Sequence, residues 1–199
     1  MPVDFVEWVR ESAARIREDP GTGLLESAFE AYLGAWHTIG TRVRPGVNIF
    51  DRDWDALVIL DACRVDALRT IAGEYPFLND VSRVLSAGSG SHEWIAQTFR
   101  KKYSDELART AYTNPNGFSE LCFLDHEYPP RRTVPFGSFR WDVADAEEFG
   151  LLDINWKRGH DSGLGIVPPR FMTDQAIHIG RETDFDRYIV HYYQPHKPY

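Results

Sequence analysis

The run Ala56-Leu-Val-Ile-Leu60, five apolar residues that stop at Asp61, constrains this chain more than any other stretch. A short continuous run of aliphatic and β-branched residues suits a strand covered on both faces, as in a parallel sheet. Open α/β sheets carry their ligand sites at the carboxyl ends of such strands. Asp61 is therefore expected at the mouth of the sheet, with a helix starting near Arg64.

The remaining elements are read outward from that strand. In residues 3–18, Phe5, Val6, Trp8, Val9, Ala13 and Ile16 recur at roughly helical spacing and end at Asp19-Pro-Gly21. Thr22 is the predicted cap of a second helix with Leu24, Leu25, Phe29, Tyr32 and Trp36 on its apolar side. This pair, residues 1–45, is expected to pack on the sheet of an α/β domain formed by residues 46–199. Within that domain the pattern gives a helix over 64–72, a second strand at Val81–Leu85 and a helix from His92 to Tyr103. A third strand is predicted at Ala108–Thr113, a helix from about Pro168 to Glu182, and a fourth strand at Arg187–Tyr193. Residues 118–165 lack sustained periodicity and read as an irregular excursion walling a substrate cleft. The alternation implies the α/β class with a parallel, doubly wound sheet and right-handed crossovers.

Charge narrows the function classes. The net charge is −8, from 30 acids against 22 bases, which argues against nucleic acid or an anionic membrane as the main partner. Cys63 and Cys122 have neither ligand-like spacing nor a disulfide framework, so a reducing compartment is the default. The first residues lack a basic stretch followed by an apolar one and no run of 18 apolar residues occurs, so neither a secretory leader nor a membrane span is predicted and a cytoplasmic location is the expectation.

Three loops follow predicted strands: Asp61, Ser86-Ala-Gly-Ser-Gly-Ser91, and Pro195 to Tyr199. In a parallel sheet they converge on one edge. A carboxylate near a hydroxyl suits a hard divalent cation that lowers the pKa of a serine nucleophile. Ser91 stands directly before a predicted helix, whose free N–H groups favour an anion such as phosphate or sulfate. His196 is placed to contact the same anion. His37, His126, His160 and His178 have no partners at ligand spacing.

Taken together these pieces resemble a known family. Val58-Ile-Leu-Asp61-Ala-Cys-Arg64-Val-Asp66 resembles the opening Asp-x-x-Arg-x-Asp motif of the sulfatase-like branch of the alkaline phosphatase superfamily. Ser86 to Trp94 is similar to that branch's Ser/Gly loop followed by Thr-Pro-Glu-Trp, with Ser91 at the nucleophile position and His92 in place of Pro. His191-Tyr-Tyr-Gln-Pro-His196-Lys-Pro-Tyr199 is similar to its His-x-x-x-Pro-His-x-Pro-Tyr segment. The resemblance implies a metal-dependent hydrolase or transferase of small phosphate or sulfate esters. In it Asp61 is a metal ligand, Ser91 is nucleophile and co-ligand of a divalent metal (Mn, Mg, Zn or Ca), and His196 binds the substrate anion. Arg64 braces the metal loop, Asp66 is structural, and Ser89 is the second choice for nucleophile. The Cys-x-Pro-x-Arg motif of the sulfatases proper is absent, which favours phosphoester chemistry.

One departure bears on activity. The family takes further metal ligands from an Asp-His pair well beyond the third motif, whereas Asp125-His126 here lies upstream of it. The expectation is an N-terminal portion of such a fold, with the last strand left as an exposed edge. The alternative is a non-catalytic remnant or interaction module that keeps the fold.

Overall fold

A computed structural model describes residues 2–78, 80–163 and 165–195. Two helices open the chain, α1 (Phe5–Glu18) and α2 (Pro20–Val43). Asp4 caps α1 by accepting from the Glu7 amide at 2.9 Å. Asp19, not Thr22, caps α2, accepting from the amides of Gly21 and Thr22 at 3.1 and 3.2 Å. Pro20 fits the first helical position because its missing N–H would have been unpaired there. The two helices pack closely enough that a Cβ on Gly23 would lie 2.6 Å from the backbone of Arg15 and Ile16.

α2 is turned the opposite way from the expectation of its sequence. Its buried positions are Gly23, Ser27, Glu30, Gly34, His37, Gly40 and Thr41, whereas Leu25 (72% exposed), Phe29, Tyr32, Ile39 and Val43 face outward. Small residues allow backbone approach, and Arg15 satisfies the buried Glu30 carboxylate at 2.7 Å. α2 reaches the domain through α4 (Ser91–Thr98): Trp36 Nε1 donates to Glu93 at 2.8 Å and Gln97 Nε2 to the Gly40 carbonyl at 3.3 Å.

The sheet has four strands, all parallel, in the order β1-β4-β2-β3. They are β1 (Ala56–Leu60), β2 (Thr110–Asn114), β3 (Leu151–Ile154) and β4 (Arg187–Tyr192). The α/β class and the parallel sheet stand as read, but three details do not. Val81–Leu85 is not a strand, and Leu85 is 68% exposed. The third member of the sheet is instead β3, inside the excursion taken as irregular. The last strand is not an edge: β4 lies between β1 and β2, pairing Val58 with Val190 and Thr113 with Val190. The edges are β1 and β3; Val58 of β1 is 59% exposed, so that strand is covered on one face only.

Helices lie on both faces. α7 (Pro169–Glu182) covers the side of Tyr188 and Tyr192, whose hydroxyls meet Ala176 O and Thr173 Oγ1, each at 3.0 Å. The other face carries an aromatic core built on Phe99, which stacks on Tyr112 at 4.7 Å and meets Phe123 edge-on at 5.5 Å. α4 and α6 (Gly117–Phe123) supply much of this layer. α3 (Val65–Ile71) follows Asp61, and the short α5 (Ser104–Leu107) leads into β2. The segment read as one helix from His92 to Tyr103 breaks at Phe99, which drops into the core, and resumes as a single turn at Lys101–Tyr103. No helix among the described residues is long and apolar enough to cross a membrane.

Candidate functional site

Strand pairing puts Asp61 at the carboxyl edge of the sheet. Leu60 is in register with Tyr192, and the Asp61 amide donates to the Tyr192 carbonyl at 3.1 Å. The chain then turns through Ala62, whose φ of 58° lies in the left-handed region that a residue with a Cβ enters at a cost of roughly 1–2 kcal/mol. The turn closes with the Cys63 amide on the Leu60 carbonyl at 3.2 Å. The carboxylate is thus aimed by a constrained turn.

The Ser/Gly loop meets it from the other side. Gly88 lies against the first turn of α4, where an added Cβ would come within 2.3 Å of the Trp94 nitrogen. Gly46, at φ 96°, backs the loop so closely that a Cβ would come within 2.2 Å of the Ser86 carbonyl oxygen. Glu93 pins the loop from within. One of its oxygens accepts from the Ser89 amide at 2.9 Å and the Ser89 hydroxyl at 2.5 Å, while the other accepts from Trp36. His37 Nδ1 lies 3.6 Å from that second oxygen.

This arrangement separates the two candidate serines. The Ser89 hydroxyl is committed to the buried Glu93. The Ser91 hydroxyl, first residue of α4, faces the Asp61 carboxylate at 3.2 Å to Oδ2 and 3.4 Å to Oδ1. The unpaired N–H groups of the helix start lie beside it, a setting that favours negative charge. Asp61, Ser86, Ser91, Trp94 and His191 line one cavity of about 400 Å³.

His191, on β4, is the member of this cavity that sequence reading left without a role. It is buried, its Nδ1 is 3.1 Å from the Tyr112 hydroxyl, and Trp94 stands edge-on at 6.0 Å. Burial holds the imidazole pKa down to about 4, against the opposing pull of the Asp61 charge, so the ring is neutral at pH 7. Burial also pushes the Tyr112 phenol far above its ordinary range. That phenol therefore keeps its proton, and its hydrogen bond with Nδ1 runs in the direction that the imidazole tautomer sets. Glu93 has no role in the sequence reading either, although it falls on the Glu of the Thr-Pro-Glu-Trp resemblance.

Arg64 and Asp66 pair with each other at 2.7 Å, and both are exposed. The bond from Arg64 holds the Asp66 carboxyl down at about 2. Neither has a hydrogen bond to the Asp61 carboxylate. Cys63 is partly exposed, and burial pushes the Cys122 thiol up to about 12. His126 lies 3.5 Å from Asp145, away from the Asp61 cavity. His196 lies outside the described residues.

No known protein family, curated protein or solved structure matches this chain. The site therefore rests on its own geometry. Asp61 and Ser91 offer oxygen donors from two residues, whereas a hard divalent cation takes about six. Among the described residues no group of three or more His, Cys, Asp or Glu is placed to hold a metal. On their own these residues do not fit a resident cation.

Proposed function

We propose that this chain carries the nucleophile half of a phosphoryl- or sulfuryl-transfer site, with small phosphate or sulfate esters as substrates. The observation that carries the reading is the Ser91 hydroxyl 3.2 Å from the Asp61 carboxylate, at a helix start on the carboxyl edge of a parallel sheet. Ser91 Oγ attacks the phosphorus or sulfur centre while its proton passes to Asp61, and the bond to the leaving alcohol breaks. The free N–H groups of α4 and the neutral His191 face the charge that develops on the non-bridging oxygens. Water, or an acceptor alcohol, then attacks the seryl ester and releases the serine. Asp61 and Ser91 would hold a divalent cation only together with ligands from elsewhere, and there it would supply positive charge to the transferred group. His196 would contact the substrate anion.

The test is turnover of aryl phosphate, phosphodiester and sulfate esters with Mn, Mg or Zn. Ser91→Ala and Asp61→Asn are each expected to abolish it. Activity that survives both substitutions rejects the reading.

A second reading, a non-catalytic fold that interacts without metal, is favoured by the two-donor set at Asp61 and Ser91. Calorimetric titration with the same cations separates the two: binding lost in Asp61→Asn supports the enzyme, and no binding together with no turnover supports the second.

A further inference from the structure

The cavity beside Asp61 does not end at Ser91. A second cavity of about 330 Å³ shares Ser89, Gly90 and Ser91 with it and continues to Arg131 and Arg132. A third, of about 630 Å³, shares Arg131 and Arg132 with the second and is lined by Tyr128, Phe139 and Trp141. Three adjoining spaces therefore run from the reactive serine, past two guanidiniums, to an aromatic hollow.

The segment bearing the two arginines is fixed to the site at several points. His92, next to Ser91, meets the Glu127 carbonyl through Nε2 at 3.0 Å. Trp141 Nε1 donates to the Pro129 carbonyl at 2.9 Å, and the Val134 amide to the Pro2 carbonyl at 2.7 Å. The Phe118 ring stacks on His92 at 4.7 Å and carries the Arg131 guanidinium 5.8 Å from its centroid. Neither arginine is in an ion pair with a described carboxylate, although the chain has eight more acids than bases. Two neighbouring guanidiniums on an anchored backbone, in no ion pair with a described carboxylate although Glu127 lines the third cavity with them, match an anion that presents several oxygens.

We propose that the three cavities form one groove for an ester with a second anionic group. Arg131 and Arg132 hold that second anion while the reacting phosphoryl or sulfuryl group lies at Ser91. The aromatic hollow takes the organic part beyond it, with Tyr128 and Trp141 supplying flat apolar faces. This rests on the reading of Ser91 as the reacting end. It names the substrate class as bis-anionic esters and excludes simple monoesters as preferred ligands.

The test uses a series of α,ω-alkane bisphosphonates of increasing chain length, with methylphosphonate as the single-anion reference. Phosphonates keep their C–P bond, so calorimetric titration reads binding alone. One chain length is expected to bind about tenfold more tightly than methylphosphonate, because the folded backbone fixes the distance between the two ends. Arg131→Gln combined with Arg132→Gln is expected to remove that preference, and the corresponding double Lys variant to retain part of it. Both arginines are exposed, so these variants keep the fold, checked by their circular dichroism. No preference at any length, or a preference that survives the double Gln variant, overturns the groove. Ser91→Ala is expected to keep the length preference while losing ester turnover. If turnover persists in Ser91→Ala and the arginine-dependent preference also persists, the nucleophile reading fails and the bis-anion groove stands.

Discussion

Two residues decide how firmly Asp61 and Ser91 are held. Ala62 sits at φ 58° immediately after Asp61, a conformation glycine reaches without steric cost. Ala62→Gly is expected to raise stability by about 0.5–1 kcal/mol in urea titration, since relief of the left-handed strain exceeds the added freedom of the unfolded chain. Glu93 is the stronger constraint, because one buried carboxylate satisfies Ser89 and Trp36 together. Glu93→Ala strands those donors and is expected to cost about 2–3 kcal/mol, read from the same titrations. Asp61 and Ser91 were legible in the sequence because each follows a local signal, an apolar run or a Gly/Ser loop. Glu93 and His191 were not. Glu93 acts on Trp36, 57 positions away, and the neutrality of His191 is set by burial that no local pattern announces.

The elements show where pattern reading succeeds and where tertiary context overrides it. β1 and β4 were found because both combine apolar runs with a clear end. Val81–Leu85 has three apolar residues interrupted by Ser82 and Arg83, and its exposed side chains find no partner strand; the Leu85 carbonyl reaches only the Val47 amide, at 2.9 Å. β3 escaped because four residues with an acid among them, Leu151-Leu-Asp-Ile154, carry too short a pattern to stand out from their surroundings. α2 misled in a different way. Its apolar stripe predicted the buried face, whereas Gly23 and the other small residues let the opposite face approach α1. Gly23→Ala is expected to force the two helices apart and destabilise the chain by about 1–3 kcal/mol, despite alanine's better helix propensity. The melting temperature of that variant checks the interface directly.

On the scale of the whole molecule, strand order explains how distant segments form one site. Placing β4 between β1 and β2 brings His191 beside Asp61, although 129 positions of sequence lie between them. That order was hidden from the sequence, since every parallel crossover reads alike along the chain. The same burial gives the molecule a pH signature. His37, His92 and His191 all have pKa values lowered by burial, so the unfolded chain takes up more protons than the folded one in mild acid. Stability is then full above the unfolded histidine pKa of about 6.5 and falls as pH drops toward the folded value of about 4 for His191. That one residue accounts for about 3 kcal/mol of the loss at most. Urea midpoints measured between neutral pH and mild acid are expected to fall, with a shallower slope in His191→Gln. A flat profile contradicts the buried neutral imidazole.

In the proposed reaction Ser91, aligned by Asp61, becomes covalently esterified during transfer. The most direct test is mass spectrometry of the chain after incubation with a phosphodiester or sulfate ester and a divalent cation, followed by rapid acid quench. The expected result is a phosphoryl or sulfuryl adduct on the peptide containing Ser91, absent in Ser91→Ala and strongly reduced in Asp61→Asn. An adduct on another residue, or turnover with Ser91 replaced, contradicts it.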